Sequence, residues 1–240
     1  MKCLSDFLKK YRGKKILLVF PHPDDEAYVA GGLLQIAQDL SIKTKLIGLT
    51  KGGRGLTPKD PLKAAKIKEL RMQELTKSCS ILSVDEKVFW DFPDAELHTS
   101  KNKWLPFLKN EIEITKASLL VTFDPSGITG HHDHLILTQE VINICKSLKN
   151  RPDLLLRVPD TQERAFFKNN QAMIYAQEPT HELSYDFKAT IKKIKAIFSH
   201  KSQLKNVFFM MRILEWYLFD HRELYHHYDY KNNFRYNIVL

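Results

Sequence analysis

This chain has no run of the roughly 18 consecutive apolar residues that a membrane-spanning helix needs, and its first fifteen residues lack the apolar centre of a secretory signal. A cytoplasmic location with no transmembrane segment is the expectation. Cysteine is scarce: Cys3, Cys79 and Cys145 are odd in number and far apart, which speaks against a disulfide framework or a zinc ribbon and suits reduced thiols in core space. Linkers and low-complexity tracts are missing from the 240 residues, so 1–240 reads as a single domain large enough to bury a core. Lys and Arg number 37 against 28 Asp and Glu, a formal charge of +9, yet no zinc finger or aromatic RNA-binding motif accompanies them. The basic residues spread over 9–15, 59–68 and 188–205 at the spacing of solvated helix faces. Nucleic acid is therefore not an expected partner, and an anionic substrate or an acidic lipid surface accounts for the charge as cheaply. Nothing in the residues sets an oligomeric state.

What is present is alternation. Strand-like runs at 15–20, 44–50, 88–92, 119–123 and 154–158 are separated by amphipathic segments at 25–40, 62–82, 104–116 and 132–148. Parallel strands need long crossovers, so the pattern predicts an α/β fold: a Rossmann-like three-layer sandwich whose mostly parallel sheet is covered on both faces. No G-x-G-x-x-G follows the first strand, which removes the main mark of a dinucleotide enzyme. Beyond Pro159 the pattern changes. A strand is expected at 172–176, then a lysine-rich amphipathic segment from Tyr185 and an aromatic tail at 216–230 that packs over one sheet edge, together a C-terminal helical and strand extension.

The chemistry gathers in two turns. After the first strand comes Pro21-His22-Pro23-Asp24-Asp25-Glu26, an imidazole and three carboxylates where a helix begins. Acids there also favour the helix dipole, but that does not account for a histidine held in extended conformation by the following proline. The strand at 119–123 runs into a loop ending His131-His132-Asp133-His134. On a helix starting near Gly130, His131 and His134 share a face while His132 is rotated about 100° away. Ligands in open α/β sheets bind at the carboxyl ends of strands, so imidazoles of the second turn can converge with His22 and Asp25 of the first. Two imidazoles and one carboxylate make a three-ligand centre of the kind that holds catalytic zinc, with Fe2+ or another divalent metal also compatible. An acidified water needs a base, for which Asp24 is placed. The developing oxyanion needs a positive partner, for which a protonated His131 is placed. Asp133 can orient a neighbouring imidazole, and Glu26 is left as a supporting or capping acid.

Further segments follow in order: Thr50–Gly55, Arg71-Met72-Gln73-Glu74, Phe92-Pro93-Asp94 and His200-Lys201-Ser202-Gln203. With the two turns they resemble the LmbE/PIG-L family of zinc-dependent N-deacetylases. The resemblance implies His22, Asp25 and His134 as zinc ligands, Asp24 as general base, His131 as oxyanion stabiliser, and Arg71 and Asp94 as substrate-holding residues. It also implies an N-acetylated sugar or glycoconjugate as substrate, with hydrolytic removal of acetyl from an N-acetylglucosamine unit. Gly53 stands where many members have Glu, which bears on the substrate contacts of that loop, and His132 replaces the usual Pro of the histidine motif. Two simpler readings compete: Arg71 and Glu74 as a solvated helix pair, and His200 as a core histidine. At the level of function the alternative is a non-catalytic sugar- or anion-binding protein with a degenerate metal site.

Overall fold

The computed structural model describes residues 1–54, 61–204 and 207–231. The elements in chain order are β1 (Lys2–Cys3), α1 (Leu4–Leu8), β2 (Lys15–Phe20), α2 (Asp25–Asp39), β3 (Lys43–Gly48), α3 (Pro61–Ile81), β4 (Glu86–Phe89), α4 (Lys101–Thr115) and β5 (Leu119–Phe123). Then come α5 (His132–Ser147), β6 (Asp153–Arg157), α6 (Thr161–Phe166), β7 (His181–Ser184), α7 (Phe187–Ile197), α8 (Val207–Phe219) and β8 (Arg222–His227). The eight strands among the described residues form one sheet in the order β1-β7-β8-β6-β5-β2-β3-β4. Its pairings are parallel except for β8, which runs against both β6 and β7.

The continuous apolar runs arise because both faces of the sheet are covered. On β2, Ile16, Leu18 and Phe20 enter one core with α1, α2, α3 and α7, while Leu17 and Val19 enter the other with α4 and α5. That alternation is the strand's two-residue period applied to a sandwich of helices, sheet and helices. From β2 the chain winds outward through β3 to β4, then returns to β5 on the other side of β2 and continues to β6. The direction of winding therefore reverses between β2 and β5, and the turns leaving these adjacent strands lie side by side. No helix among the described residues is long and apolar enough to cross a membrane.

Three expectations are corrected. The strand at 172–176 is a 3-10 turn, Gln171–Tyr175, begun by the Asn170 side chain accepting from the Ala172 N–H at 2.9 Å. A five-residue apolar run does not distinguish the two, and the strand forms later, as β7. The strand at 88–92 lies earlier, at Glu86–Phe89, because Pro93 and the irregular bonds of Trp90 and Phe92 to Gly48 and Leu49 end the regular ladder. The aromatic tail does not cover an edge of the sheet; its β8 inserts between β6 and β7.

That insertion shapes α2. The helix breaks at Ala30 (φ −135°, ψ 16°), and Glu223 of β8 accepts from the N–H groups of Gly32 and Leu33 at 2.7 and 3.0 Å. Lys193 of α7 pairs with the same carboxylate at 2.7 Å, both side chains fully buried, and Tyr225 donates to it at 2.8 Å. A Cβ on Gly32 would lie 2.5 Å from the Tyr185 ring, so this approach requires glycine.

Candidate metal centre and active site

The turn after β2 carries His22, Asp24 and Asp25, and the turn after β5 carries His131, Asp133 and His134. Their adjacency brings His22 Nδ1 to 3.3 Å from His134 Nε2, 3.6 Å from Asp25 Oδ2, and Asp25 Oδ1 to 3.5 Å from His134 Nε2. Ligand atoms on a tetrahedral zinc, with bonds of about 2.0–2.2 Å, are about 3.3–3.6 Å apart. The two imidazole nitrogens lie at that spacing, and the Asp25 carboxylate faces each of them through a different oxygen. All three residues are buried.

Each ring is oriented from behind. His134 Nδ1 lies 3.0 Å from the Gly127 carbonyl, so it carries the proton and leaves Nε2 bare toward Asp25. The ring stacks on Phe123 at 4.1 Å between centroids. His22 turns Nε2 to Asp94 and Asp133, at 3.1 and 3.2 Å. The Asp133 carboxylate also accepts from the N–H groups of Ala95 and Leu97, and Asp94 from that of Arg54. Asp133 thus orients His22 across the sheet rather than either of its neighbours in sequence. Asp94, expected to hold substrate, sits in the same place behind His22. His22 with Asp94 and Asp133, and His22 with His131 and His134, are groups whose ligand atoms all lie within 4.8 Å of one another.

The electrostatics follow from burial and crowding. Burial alone would lower the His22 pKa, but the Asp133 and Asp94 hydrogen bonds and the Asp25 charge raise it to about 10. His134 is pushed down to about 3 by burial and the His22 charge. Asp25 is raised to about 6 by burial, against the pull of His22. Asp24 is likewise raised to about 6 by burial, with Arg71 holding it down. His131 is lowered to about 4 by burial and by His22 and His134. It is therefore neutral at pH 7, which corrects the expectation of a protonated His131. Its Nδ1 accepts the Asp133 N–H at 3.2 Å, so the proton resides on Nε2.

Asp24 is a non-glycine residue with φ 109°, a strained conformation that persists only where its surroundings enforce it. Four contacts do so. Glu26 accepts the Asp24 N–H at 3.0 Å, Arg71 Nη2 lies 3.2 Å from Asp24 Oδ2, and Arg71 also donates to the carbonyls of Pro23 and Gly52. A Cβ on Gly52 (φ +68°) would lie 2.2 Å from Arg71 Nη1, which explains a glycine there. Arg71 thus binds two loops and the Asp24 carboxylate together, with its Nε unpartnered.

The later motifs support the same turn. His200 Nε2 lies 2.8 Å from Glu26 Oε1 with both side chains fully buried, and each charge favours the other. Glu74 accepts from the N–H and hydroxyl of Ser202 at 2.8 and 2.6 Å. Arg71 and Glu74 are buried, 3% and 7% exposed, so the solvated-pair reading is wrong. Their three-residue spacing on one helix face was the available signal. Gly53 packs on the Lys68 stem, Gly55 lies outside the described residues, and His132 is exposed. Asp124 had no such signal: its carboxylate accepts from Ser126 and, at 2.9 Å, from the Gln177 N–H, tying the loop after β5 to the distant segment.

Against known proteins, the family model described as PIG-L, GlcNAc-PI de-N-acetylase, matches residues 17–145. A Bacillus subtilis protein named "Probable N-acetyl-alpha-D-glucosaminyl L-malate deacetylase 2" is 31% identical over 57% of this chain, a match that spans 64% of that protein's length. Its Bacillus cereus namesake is 26% identical over 79% of this chain and 84% of its own length. The solved N,N'-diacetylchitobiose deacetylase of Pyrococcus horikoshii has the same fold, with a TM-score of 0.74 at 17% identity over 98% of this chain and 92% of that one.

Proposed function

The chain belongs to the PIG-L, GlcNAc-PI de-N-acetylase family, and from that premise we propose that it is a zinc-dependent hydrolase removing the acetyl group of an N-acetylglucosamine conjugate. The observation that carries this reading is the convergence of His22 Nδ1, His134 Nε2 and the two oxygens of the Asp25 carboxylate at 3.3–3.6 Å, with Asp24 beside them. Two nitrogen donors and one carboxylate suit hydrolytic zinc, and Fe2+ or another divalent ion is compatible with the same set. When bound, the metal would polarise the acetamide carbonyl and acidify a water.

The remaining work falls to the chain. Asp24, pushed up to about 6, is ionised at neutral pH yet basic enough to take a proton from the attacking water. Water oxygen bonds to the acetyl carbon, and the His131 Nε2–H donates to the carbonyl oxygen as it gains charge. Asp24 returns its proton to the sugar nitrogen as the carbon–nitrogen bond breaks, which yields acetate and an amine. Arg71 keeps Asp24 aimed and charged, Asp94 and Asp133 fix the His22 ring, and Glu26 with His200 holds the turn.

The test combines metal content with turnover. The purified protein should bind one zinc, His134→Ala should lose it, and Asp24→Asn should keep it while acetate release falls by about a thousandfold. An Asp24→Asn variant that still turns over removes Asp24 as base. Sugar binding without metal and without acetate release would instead support the non-catalytic alternative.

A further inference from the structure

Beside the histidine loop lies a cavity of about 710 Å3, within the roughly 300–1,000 Å3 of ordinary ligand pockets. One wall is Thr129, Gly130, His132 and Leu135, from the segment that carries His131 and His134; the other is Phe166, Phe167, Ile174 and Tyr175. We infer that this cavity receives an uncharged second sugar ring joined to the N-acetylglucosamine whose acetyl group is removed. The inference rests on the deacetylase reading and adds the chemistry of the group beyond the reacting sugar.

The walls are preformed. Asn170 donates to the carbonyls of Ser126 and Ile128, both at 3.1 Å, binding the 167–175 segment to the histidine loop. Gly130 (φ +76°) permits the approach, since a Cβ there would lie 2.3 Å from Asn170 Oδ1. Yet Phe166 and Ile174 are left 46% and 80% exposed at the cavity, large apolar surface of the kind that a ligand covers. Aromatic faces suit the C–H face of a sugar, and the neutral amides of Asn169 and Gln171, which also line it, suit hydroxyls. Among the described residues no Lys or Arg lines the cavity. Arg164 of α6 is committed to the carbonyls of Pro159 and Gln177. A carboxylate or phosphate entering here would lose water without meeting a fixed cation, which is costly.

The zinc-loaded enzyme is assayed for acetate release from N-acetylglucosamine, N,N'-diacetylchitobiose and N-acetylglucosaminyl malate. We expect kcat/KM for the disaccharide to exceed that for the monosaccharide about tenfold, mostly through KM, with the malate conjugate no better than the monosaccharide. Ile174→Glu and Phe166→Ala, at exposed positions, should remove the disaccharide's advantage and change the monosaccharide's kcat/KM by less than about twofold. A malate conjugate that matches or beats the disaccharide, or variants that lower both sugars equally or neither, overturns the inference and leaves the deacetylase reading standing. No acetate from any of the three would overturn that reading, and this inference with it.

Discussion

Replacing Glu223 probes the tie between the C-terminal strand and the helix that begins at Asp25. Its carboxylate serves four donors: Gly32 N–H and Leu33 N–H, Lys193 Nζ and Tyr225 OH. Unit charges 2.7 Å apart attract by about 6 kcal/mol at an effective dielectric of about 20, and breaking a buried pair from one side costs about 3–5 kcal/mol. Glu223→Gln leaves Lys193 without its counter-ion and exchanges one acceptor oxygen for an NH2, orphaning a backbone donor at about 1–3 kcal/mol. The expected loss is about 4–8 kcal/mol of the roughly 5–15 kcal/mol that stabilises a domain. Lys193→Met with Glu223→Gln removes both charges and should lose only the orphaned donor, about 1–3 kcal/mol. Urea unfolding of the three proteins measures the difference. Burial already lowers the Lys193 pKa, with Glu223 opposing; without that carboxylate it falls further. The unfolded chain then binds a proton that the folded one lacks, so the single variant should regain stability as pH rises from its folded pKa toward about 10.4. A single variant costing under about 1 kcal/mol, or a double variant no better than the single, refutes the reasoning.

Metal binding at pH 7.5 should release about one proton, because His22 titrates near 10 in the metal-free protein whereas His134, near 3, and Asp25, near 6, have already lost theirs. Calorimetry in buffers of different ionisation enthalpy measures it, and a release of none contradicts the His22 assignment. Acetate release should fall as pH drops through about 6, where Asp24 gains its proton. Arg71 lowers that pKa, so Arg71→Gln should move the acid limb upward by about one to three pH units while Arg71→Lys leaves it near wild type; an unmoved limb in a folded, metal-bearing Arg71→Gln excludes the pair. Ser202→Ala removes one of the two bonds to Glu74 and should lower stability by about 1 kcal/mol, read as a fall in the urea midpoint.

Much of the site was legible because it is local. Strand followed by proline-stiffened turn at 15–26, and strand followed by a histidine loop at 119–134, are signals within windows of about fifteen residues, and both strands lie where expected. Arg71, Glu74 and His200 were legible as motif members but not as a mechanism. Their partners, Asp24, Ser202 and Glu26, lie 47, 128 and 174 residues away. Asp133 illustrates the limit well. Its neighbours in sequence are histidines, yet it accepts from His22, 111 residues distant, because the N–H groups of Ala95 and Leu97 aim its carboxylate there.

The C-terminal third is the least legible in the sequence, and the reason is the antiparallel β8. An alternating run such as Arg222–His227 is compatible with an edge, a cover or an interior position. Its place between β6 and β7 depends on backbone donors of three separate strands being satisfied at once. The sequence by itself determined the alternating elements, the two donor-bearing turns and the stiffness that Pro23 lends to the first. Only the tertiary structure decided that β2 and β5 are neighbours, that His22 presents Nδ1 to the centre and Nε2 to the acids, and that His131 is neutral. Local pattern follows from neighbours in the chain, whereas strand order, ring orientation and protonation are set by desolvation and contacts across more than a hundred residues.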